Sequence, residues 1–135
     1  MDGRIRGAAA GLALLAMTDA GAAADPLASY RWKARVLVVS APAPDDRAFL
    51  AQRQALASVD AAARERDLVL IEASGDDARA QALRRRVGLP RDAFGAVLVG
   101  KDGGTKLTST EPIPPQRLFS TIDAMPMRRD EMRRR

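Results

Sequence analysis

The sequence contains neither cysteine nor histidine. Without thiols the chain has no disulfide and no cysteine nucleophile, and without imidazole it has no histidine base. Zinc sites built from cysteine or histidine are excluded for the same reason. The remaining carboxylates, hydroxyls and lysines form no catalytic motif in the sequence. The sequence therefore favours a protein that is not an enzyme.

Aromatic residues are also scarce, at 4% of 135 residues. The chain is basic, with a formal net charge of +5, which raises the question of a nucleic-acid partner. Proteins that bind single-stranded nucleic acid combine a basic surface with aromatic side chains on which bases stack. Much of the basicity here lies in residues 127–135, where five arginines outnumber Asp130 and Glu131. We interpret this segment as a solvated Arg-rich tail, and the alternative is contact with an envelope protein or an anionic surface. We predict no nucleic-acid partner.

The sequence lacks an apolar run long enough to span a bilayer. The apolar stretch Ala8–Met17 has 10 residues, whereas a spanning helix needs about 20. Two arginines precede this stretch and Ala22-Ala23-Ala24 follows it, which is typical of a cleaved secretory signal peptide. We therefore predict a signal peptide over residues 1–24, a domain over residues 25–126, no transmembrane segment, and a periplasmic or secreted location.

Three short apolar runs predict the strands of the domain. They are Arg35–Ser40, Leu68–Ile71 and Ala96–Val99. Runs that are apolar at every position are typical of strands covered on both faces, and we expect the first two to be parallel. Asp102-Gly103-Gly104 predicts a hairpin turn into a fourth strand over Thr105–Ser109.

Helical spacing of apolar residues lies between these strands. Phe49 to Ala63 predicts one long helix, capped by Asp45 or Asp46. A second helix is predicted from Ser74-Gly75-Asp76 to Gly88, and a third over residues 116–124. The order β-α-β-α-β-β-α predicts an α/β three-layer sandwich around a four-stranded mixed sheet, an order similar to the thioredoxin fold.

The polar residues after the first strand are the candidate ligand-binding site. Ser40, Asp45, Asp46 and Arg47 follow a buried strand, and open α/β sheets bind ligands at the carboxyl ends of their strands. We favour a purely structural interpretation over ligand binding, in which the serine ends the strand and the aspartates cap the next helix.

Three methionines form a second candidate site, for a metal ion. Met125, Met127 and Met132 lie close together in the sequence, and thioether sulfur is a soft ligand that suits Cu(I). Methionine also fills irregular gaps in apolar cores, and we favour that role. We accordingly predict no resident metal or cofactor.

Two further features have structural interpretations. Trp32 precedes the first strand, and we expect its indole to cover one end of the core. Arg84-Arg85-Arg86 lies near a helix C-terminus, where it complements the helix dipole, and we interpret it as a solvated face.

Several of these segments together resemble a known family. Trp32 with Arg35-Val-Leu-Val-Val-Ser-Ala-Pro, the Leu98-Val-Gly-Lys-Asp-Gly-Gly104 turn and the ending Ile122–Met132 are similar to the domain-of-unknown-function family 4174 (DUF4174), over about residues 26–132. The resemblance implies a thioredoxin-like fold and a relation to domains of vertebrate extracellular-matrix proteins. It implies no established activity.

The resemblance also implies a position in the fold for the candidate ligand-binding residues. In thioredoxin-like enzymes the reactive residues follow the first core strand, a position that Ser40–Arg47 takes here without any thiol. The leading hypothesis is therefore a non-enzymatic binding or structural module of the cell envelope. The alternatives are an antioxidant, peroxiredoxin-related role without thiol chemistry, and methionine-based copper handling.

Overall fold

The computed structural model describes residues 25–134, so the predicted signal peptide lies outside the described residues. A short 3-10 turn at Ala28–Tyr30 precedes four strands and five α-helices in this part of the chain. The strands are β1 (Arg35–Ala41), β2 (Leu68–Ser74), β3 (Gly95–Val99) and β4 (Thr105–Ser109). The helices are α1 (Arg47–Ala57), α2 (Asp60–Glu65), α3 (Ala78–Val87), α4 (Pro115–Asp123) and α5 (Pro126–Arg133).

The four strands form one mixed sheet in the order β2-β1-β3-β4. β1 is parallel to β2, while β3 is antiparallel to both β1 and β4. The predicted parallel pair and hairpin are therefore confirmed. The tight turn depends on Gly103, whose φ of +86° is a conformation that residues with a side chain rarely adopt.

β1 and β3 lie in the middle of the sheet and are buried at every position. The prediction that both faces of these strands are covered is confirmed. The same prediction is wrong for β2, where Val69 is 37% exposed. β2 is an edge strand, and its outer positions have no neighbouring strand to cover them.

Alternation along β1 divides the core into two halves. Leu37 and Val39 point to the face covered by α1, α2 and α4, whereas Val36 and Val38 point to the face covered by α3 and the 3-10 turn. The predicted four-stranded mixed sheet is confirmed, and helices lie on both of its faces.

The segment between β1 and β2 forms two helices where the sequence predicts one. Val59 leaves the helical conformation, with φ −127° and ψ 37°, and so separates α1 from α2. Phe49, Leu56 and Ala63 are nevertheless all buried in the same core. The apolar spacing continues across this break, which is why the pattern predicted a single helix.

Two predicted helix ends are confirmed. Asp46 caps α1, since its Oδ1 accepts a hydrogen bond from the backbone N–H of Phe49 at 3.0 Å. Gly88 ends α3 in the left-handed conformation, with φ 76° and ψ 36°. The start of α3 lies slightly later than predicted, with Asp77 as its cap.

The interpretation of residues 127–135 as a solvated tail needs correction. Residues 126–133 form α5, and Arg128 is buried, with 1% of its surface exposed. Its Nη2 donates to Glu65 Oε2 at 3.0 Å and its Nε donates to Asp123 Oδ1 at 3.1 Å. Because acceptors from α2 and α4 meet at Arg128, this arginine attaches the segment to the domain.

Candidate functional site

The structure does not bring the four polar residues after β1 together. Ser40 is fully buried on the α3 face of the sheet, where its Oγ accepts from Arg84 Nε at 2.6 Å. Asp46 caps α1, which covers the opposite face, and Asp45 and Arg47 are exposed. Alternation along β1 therefore separates Ser40 from the other three, and within residues 25–134 no hydrogen bond or ion pair joins it to them.

Arg84 is buried as well, so the interpretation of Arg84–Arg86 as a solvated face is wrong for its first residue. The Ser40 hydroxyl also donates to the carbonyl of Pro90 at 3.3 Å. A serine whose oxygen accepts from a guanidinium has no base to activate it. Ser40 therefore has a structural role in holding Arg84.

Trp32 does not cover the core as predicted, since 63% of its surface is exposed. Its backbone has a φ of +67°, which is unusual for a bulky residue. The backbone N–H of Trp32 donates to the carbonyl of Lys101 at 2.7 Å, and this bond holds Trp32 beside the β3–β4 turn.

A groove of about 310 Å³ lies next to this indole. We call it the Trp32 groove; its walls include Trp32, Gly100, Lys106, Met125, Pro126 and Met127. Met125 is partly buried against the core, whereas Met127 is 38% exposed. The third predicted methionine, Met132, does not line the groove.

Two buried cations form the charged end of the groove. Arg35 and Lys101 both pair with Glu131 of α5, with Arg35 Nη1 at 3.2 Å and Lys101 Nζ at 2.8 Å from its carboxylate oxygens. Lys101 also donates to Asp67 Oδ2 at 2.9 Å. These cations are thus neutralised inside the protein, and the open surface of the groove is mainly apolar.

Backbone strain is concentrated at the same place. Within residues 25–134, Trp32 and Asp67 are the non-glycine residues with positive φ, at 67° and 50°. Both bond to Lys101, one to its carbonyl and the other to its ammonium group. Strained residues persist where surrounding contacts hold them, and they cluster at functional sites.

The electrostatics of Glu131 follow from these partners. Burial alone raises the pKa of the Glu131 carboxyl, but hydrogen bonds from Lys101 and Arg35 outweigh burial and hold the pKa below its usual value. Glu131 therefore remains ionised and keeps α5, with Met127, against the β3–β4 turn.

Sequence reasoning missed Arg35, Lys101 and Glu131 as a unit. Glu131 and Arg35 are 96 residues apart, and two adjacent acids among arginines give no local sign of which one has a distant partner. The Asp-Gly-Gly turn was the one available signal, since it fixes Lys101 at the end of β3.

The side chains that line the Trp32 groove are suited to binding a ligand. Its indole and thioethers can contact an apolar group, while the charged residues at its end are already paired. Within residues 25–134, no three acidic side chains are grouped closely enough to hold a metal ion. In the same range, none of the helices combines the length and the apolar character that crossing a bilayer requires.

The fold and this groove define a small mixed α/β domain with helices on both faces of a four-stranded sheet. The family model described as Domain of unknown function (DUF4174) matches residues 26–131, and the chain belongs to this family. No curated protein and no solved structure matches the chain. The predicted family is thus confirmed over almost the range expected.

Proposed function

We propose that this protein is an exported, non-enzymatic binding module that holds an apolar side chain of an envelope partner in the Trp32 groove. The observation that carries the proposal is the exposed indole of Trp32, held by a strained backbone beside Met125 and Met127. Tryptophan and methionine are enriched in protein interfaces, and tryptophan is prominent among the residues that contribute most binding energy.

The proposal includes a thioredoxin-like fold and a periplasmic or secreted location. The fold is supported by a parallel βαβ unit followed by a helix, an antiparallel hairpin and a further helix. The location is supported by the signal-like sequence of residues 1–24. The relation to extracellular-matrix domains and the antioxidant role remain predictions from the resemblance.

Affinity capture with substituted proteins tests the groove. The mature protein is immobilised and exposed to envelope extract, alongside Trp32→Ala, Met127→Ala and the control Leu50→Ala. Leu50 is an exposed apolar residue on α1 outside the groove. We expect one set of partner proteins to bind the unchanged protein and Leu50→Ala, and to be lost from the other two variants. Equal recovery by all four forms contradicts the proposal.

A direct titration then follows with the recovered partner. Trp32 is the single tryptophan of the chain, so its fluorescence reports on the groove without a label. We expect the partner to shift the emission of Trp32 to shorter wavelength, because contact with an apolar group removes water from the indole. Binding without any change in emission locates the contact elsewhere.

Copper handling is the second candidate, favoured by one observation. Met125 and Met127, which the spacing in the sequence singled out, line the same groove as Trp32. A soft cation held by two thioethers can also interact with the face of an indole. The nearby Lys101 and Lys106 disfavour a cation, although Lys101 is paired with Glu131 and Lys106 with Asp102.

Titration with Ag(I), a redox-stable substitute for Cu(I), tests this candidate. We expect quenching of Trp32 emission with an affinity tighter than about 1 μM, and loss of this binding in Met125→Leu and Met127→Leu. Met132→Leu is the matched control, since this methionine lies outside the groove. Ag(I) binding weaker than this limit contradicts copper handling. Equal loss of Ag(I) binding in all three methionine variants contradicts it as well.

A further inference from the structure

Arg84 differs from the other buried cations of the described chain. Arg35, Lys101 and Arg128 each pair with at least one carboxylate. Arg84 is 4% exposed, and within residues 25–134 it has no carboxylate at ion-pair distance. A buried charge without a counter-ion is unfavourable, so the missing negative charge needs an explanation.

The hydrogen bonds of Arg84 use only neutral oxygens. Its Nε donates to Ser40, and its Nη2 donates to the carbonyls of Ala41 at 3.1 Å and Ala73 at 3.2 Å. Its Nη1 is buried and has no hydrogen-bond partner. Ala41 ends β1 and Ala73 lies near the end of β2, so the guanidinium lies at the carboxyl ends of two parallel strands. Ligands bind at this edge in open α/β sheets.

A surface pocket of about 490 Å³ includes Arg84 in its lining. Arg85 and Arg91 line it too, together with one acidic residue, Asp76. Asp76 is paired with Arg91 at 2.5 Å, whereas Arg85 is exposed and has no hydrogen bond or ion pair within the described residues. The C-terminal dipole of α3 offsets about half a unit of charge, which leaves the pocket positive.

We propose that this pocket binds the phosphate group of a small organic molecule, which supplies the negative charge that Arg84 lacks. Arginine presents donors in a planar fork that matches phosphate oxygens. A phosphate monoester carries about −1.5 to −2 charges at pH 7, which suits three arginines and one aspartate. The volume exceeds what a bare ion needs and lies in the usual range for small-molecule sites.

In this arrangement Arg84 Nη1 and the guanidinium of Arg85 donate to the phosphate oxygens. Ser40 keeps its present role and fixes the orientation of Arg84 through Nε. Protein atoms cover Nη1, so binding requires side chains of the pocket lining to move, and Arg85 and Arg91 in that lining are exposed. When Arg91 moves, the interaction that it gives up within residues 25–134 is its solvent-exposed ion pair with Asp76.

Calorimetric titration of the whole mature chain tests the site. The probes are inorganic phosphate and glycerol 3-phosphate, compared with acetate and chloride at equal ionic strength. We expect phosphate to bind with a Kd of about 1 mM and glycerol 3-phosphate to bind more tightly. Arg85→Ala should weaken both by about tenfold, as expected for a lost charge-assisted hydrogen bond. Arg117→Ala, which changes an exposed arginine on α4 outside the pocket, should change neither.

Arg84→Met is the more direct variant, and Arg85→Ala keeps the test valid if Arg84→Met does not fold. Equal binding of acetate or chloride, or equal weakening by Arg117→Ala, overturns the proposal. The pocket shares no lining residue with the Trp32 groove. Failure of one proposal therefore leaves the other standing.

Discussion

At the scale of single residues, Glu131 balances two buried cations, Arg35 and Lys101. The Glu131→Gln substitution keeps the shape of the side chain but leaves both cations without its charge. We expect it to lower the free energy of unfolding by about 3 kcal/mol, since an uncompensated buried charge is costly. Urea denaturation at pH 7 measures this loss.

The neighbouring acid provides the control for this substitution. Within residues 25–134, Asp130 pairs only with Arg133 on the surface of α5, and pairs of that kind contribute little to stability. Asp130→Asn should therefore have an unfolding curve close to that of the unchanged protein. Equal losses from the two substitutions would mean that the charge of Glu131 has no special role.

The two aspartates before α1 form a second matched pair. Asp46 accepts from the backbone N–H of Phe49, whereas Asp45 is exposed and makes no capping bond within the described part of the chain. Asp46→Ala should reduce the free energy of unfolding by about 1 kcal/mol through the lost cap, and Asp45→Ala should leave it unchanged. Thermal denaturation of both variants distinguishes a capping role from a ligand-binding role, which would leave stability unaffected by either change.

These residues also show what the sequence can and cannot predict. Asp46 as a cap and Gly88 as a left-handed helix end were predictable, because each depends on its own few neighbours. The burial of Ser40 and Arg84 and the exposure of Trp32 were not. The burial or exposure of each residue depends on a segment remote in the sequence, and no local pattern indicates how the two segments meet.

At the scale of elements, α5 is held to the domain by two ion-paired residues. Arg128 and Glu131 contact α2, β1 and the β3–β4 turn. Removing residues 126–135 should therefore destabilise the domain at least as much as Glu131→Gln. Such a truncation cannot test the arginines as an interaction surface, because it also disrupts the fold.

Charge substitutions on the exposed side of α5 provide that test. Arg129, Arg133 and Arg134 are exposed. The triple change to glutamine should leave the melting temperature nearly unchanged, and it should reduce binding to vesicles that contain anionic lipid if the arginines contact such a surface. Each arginine near an anionic membrane contributes about 1 kcal/mol to the free energy of membrane binding. Unchanged vesicle binding at low salt would contradict the anionic-surface role.

The elements themselves were largely predictable. Continuous apolar runs marked β1 and β3, and Asp102-Gly103-Gly104 marked the hairpin, because these signals lie within single segments. The break at Val59 and the formation of α5 were not predicted. The first interrupts a helix without changing its apolar spacing, and the second depends on ion pairs with distant residues.

At the scale of the whole molecule, the Trp32 groove is assembled from three separate parts of the chain. Trp32 precedes β1, Gly100 and Lys106 belong to the β3–β4 hairpin, and Met127 belongs to α5. The antiparallel pairing of β1 with β3 brings the first two parts together, and the charges at the groove's end hold the third. The groove is therefore a product of the folded domain, and loss of these charges should affect binding and stability together.

We expect low pH to weaken both the fold and the groove, because the same carboxylates stabilise the two. Burial raises the pKa of the carboxyl groups of Asp123 and Glu131, but hydrogen bonds from Arg66, Arg128, Lys101 and Arg35 outweigh it, so both pKa values are lowered. A carboxyl group whose pKa is lower in the folded state stabilises the protein above its unfolded pKa, and this contribution is lost as the pH falls through the folded pKa. The ordinary values are 3.8 for Asp and 4.5 for Glu.

We therefore expect the free energy of unfolding to be level near neutral pH and to fall as the pH drops below about 4.5. Glu131→Gln should begin with lower stability and lose less of it on acidification, since its amide does not titrate. Urea denaturation from pH 7 to pH 3 compares the two proteins, and Trp32 emission follows the groove in the same samples. If the unfolding free energies of the two proteins fall in parallel with pH, Glu131 has the same pKa in the folded and unfolded chains. The ion pairs at the groove would then not contribute to the acid sensitivity of the fold.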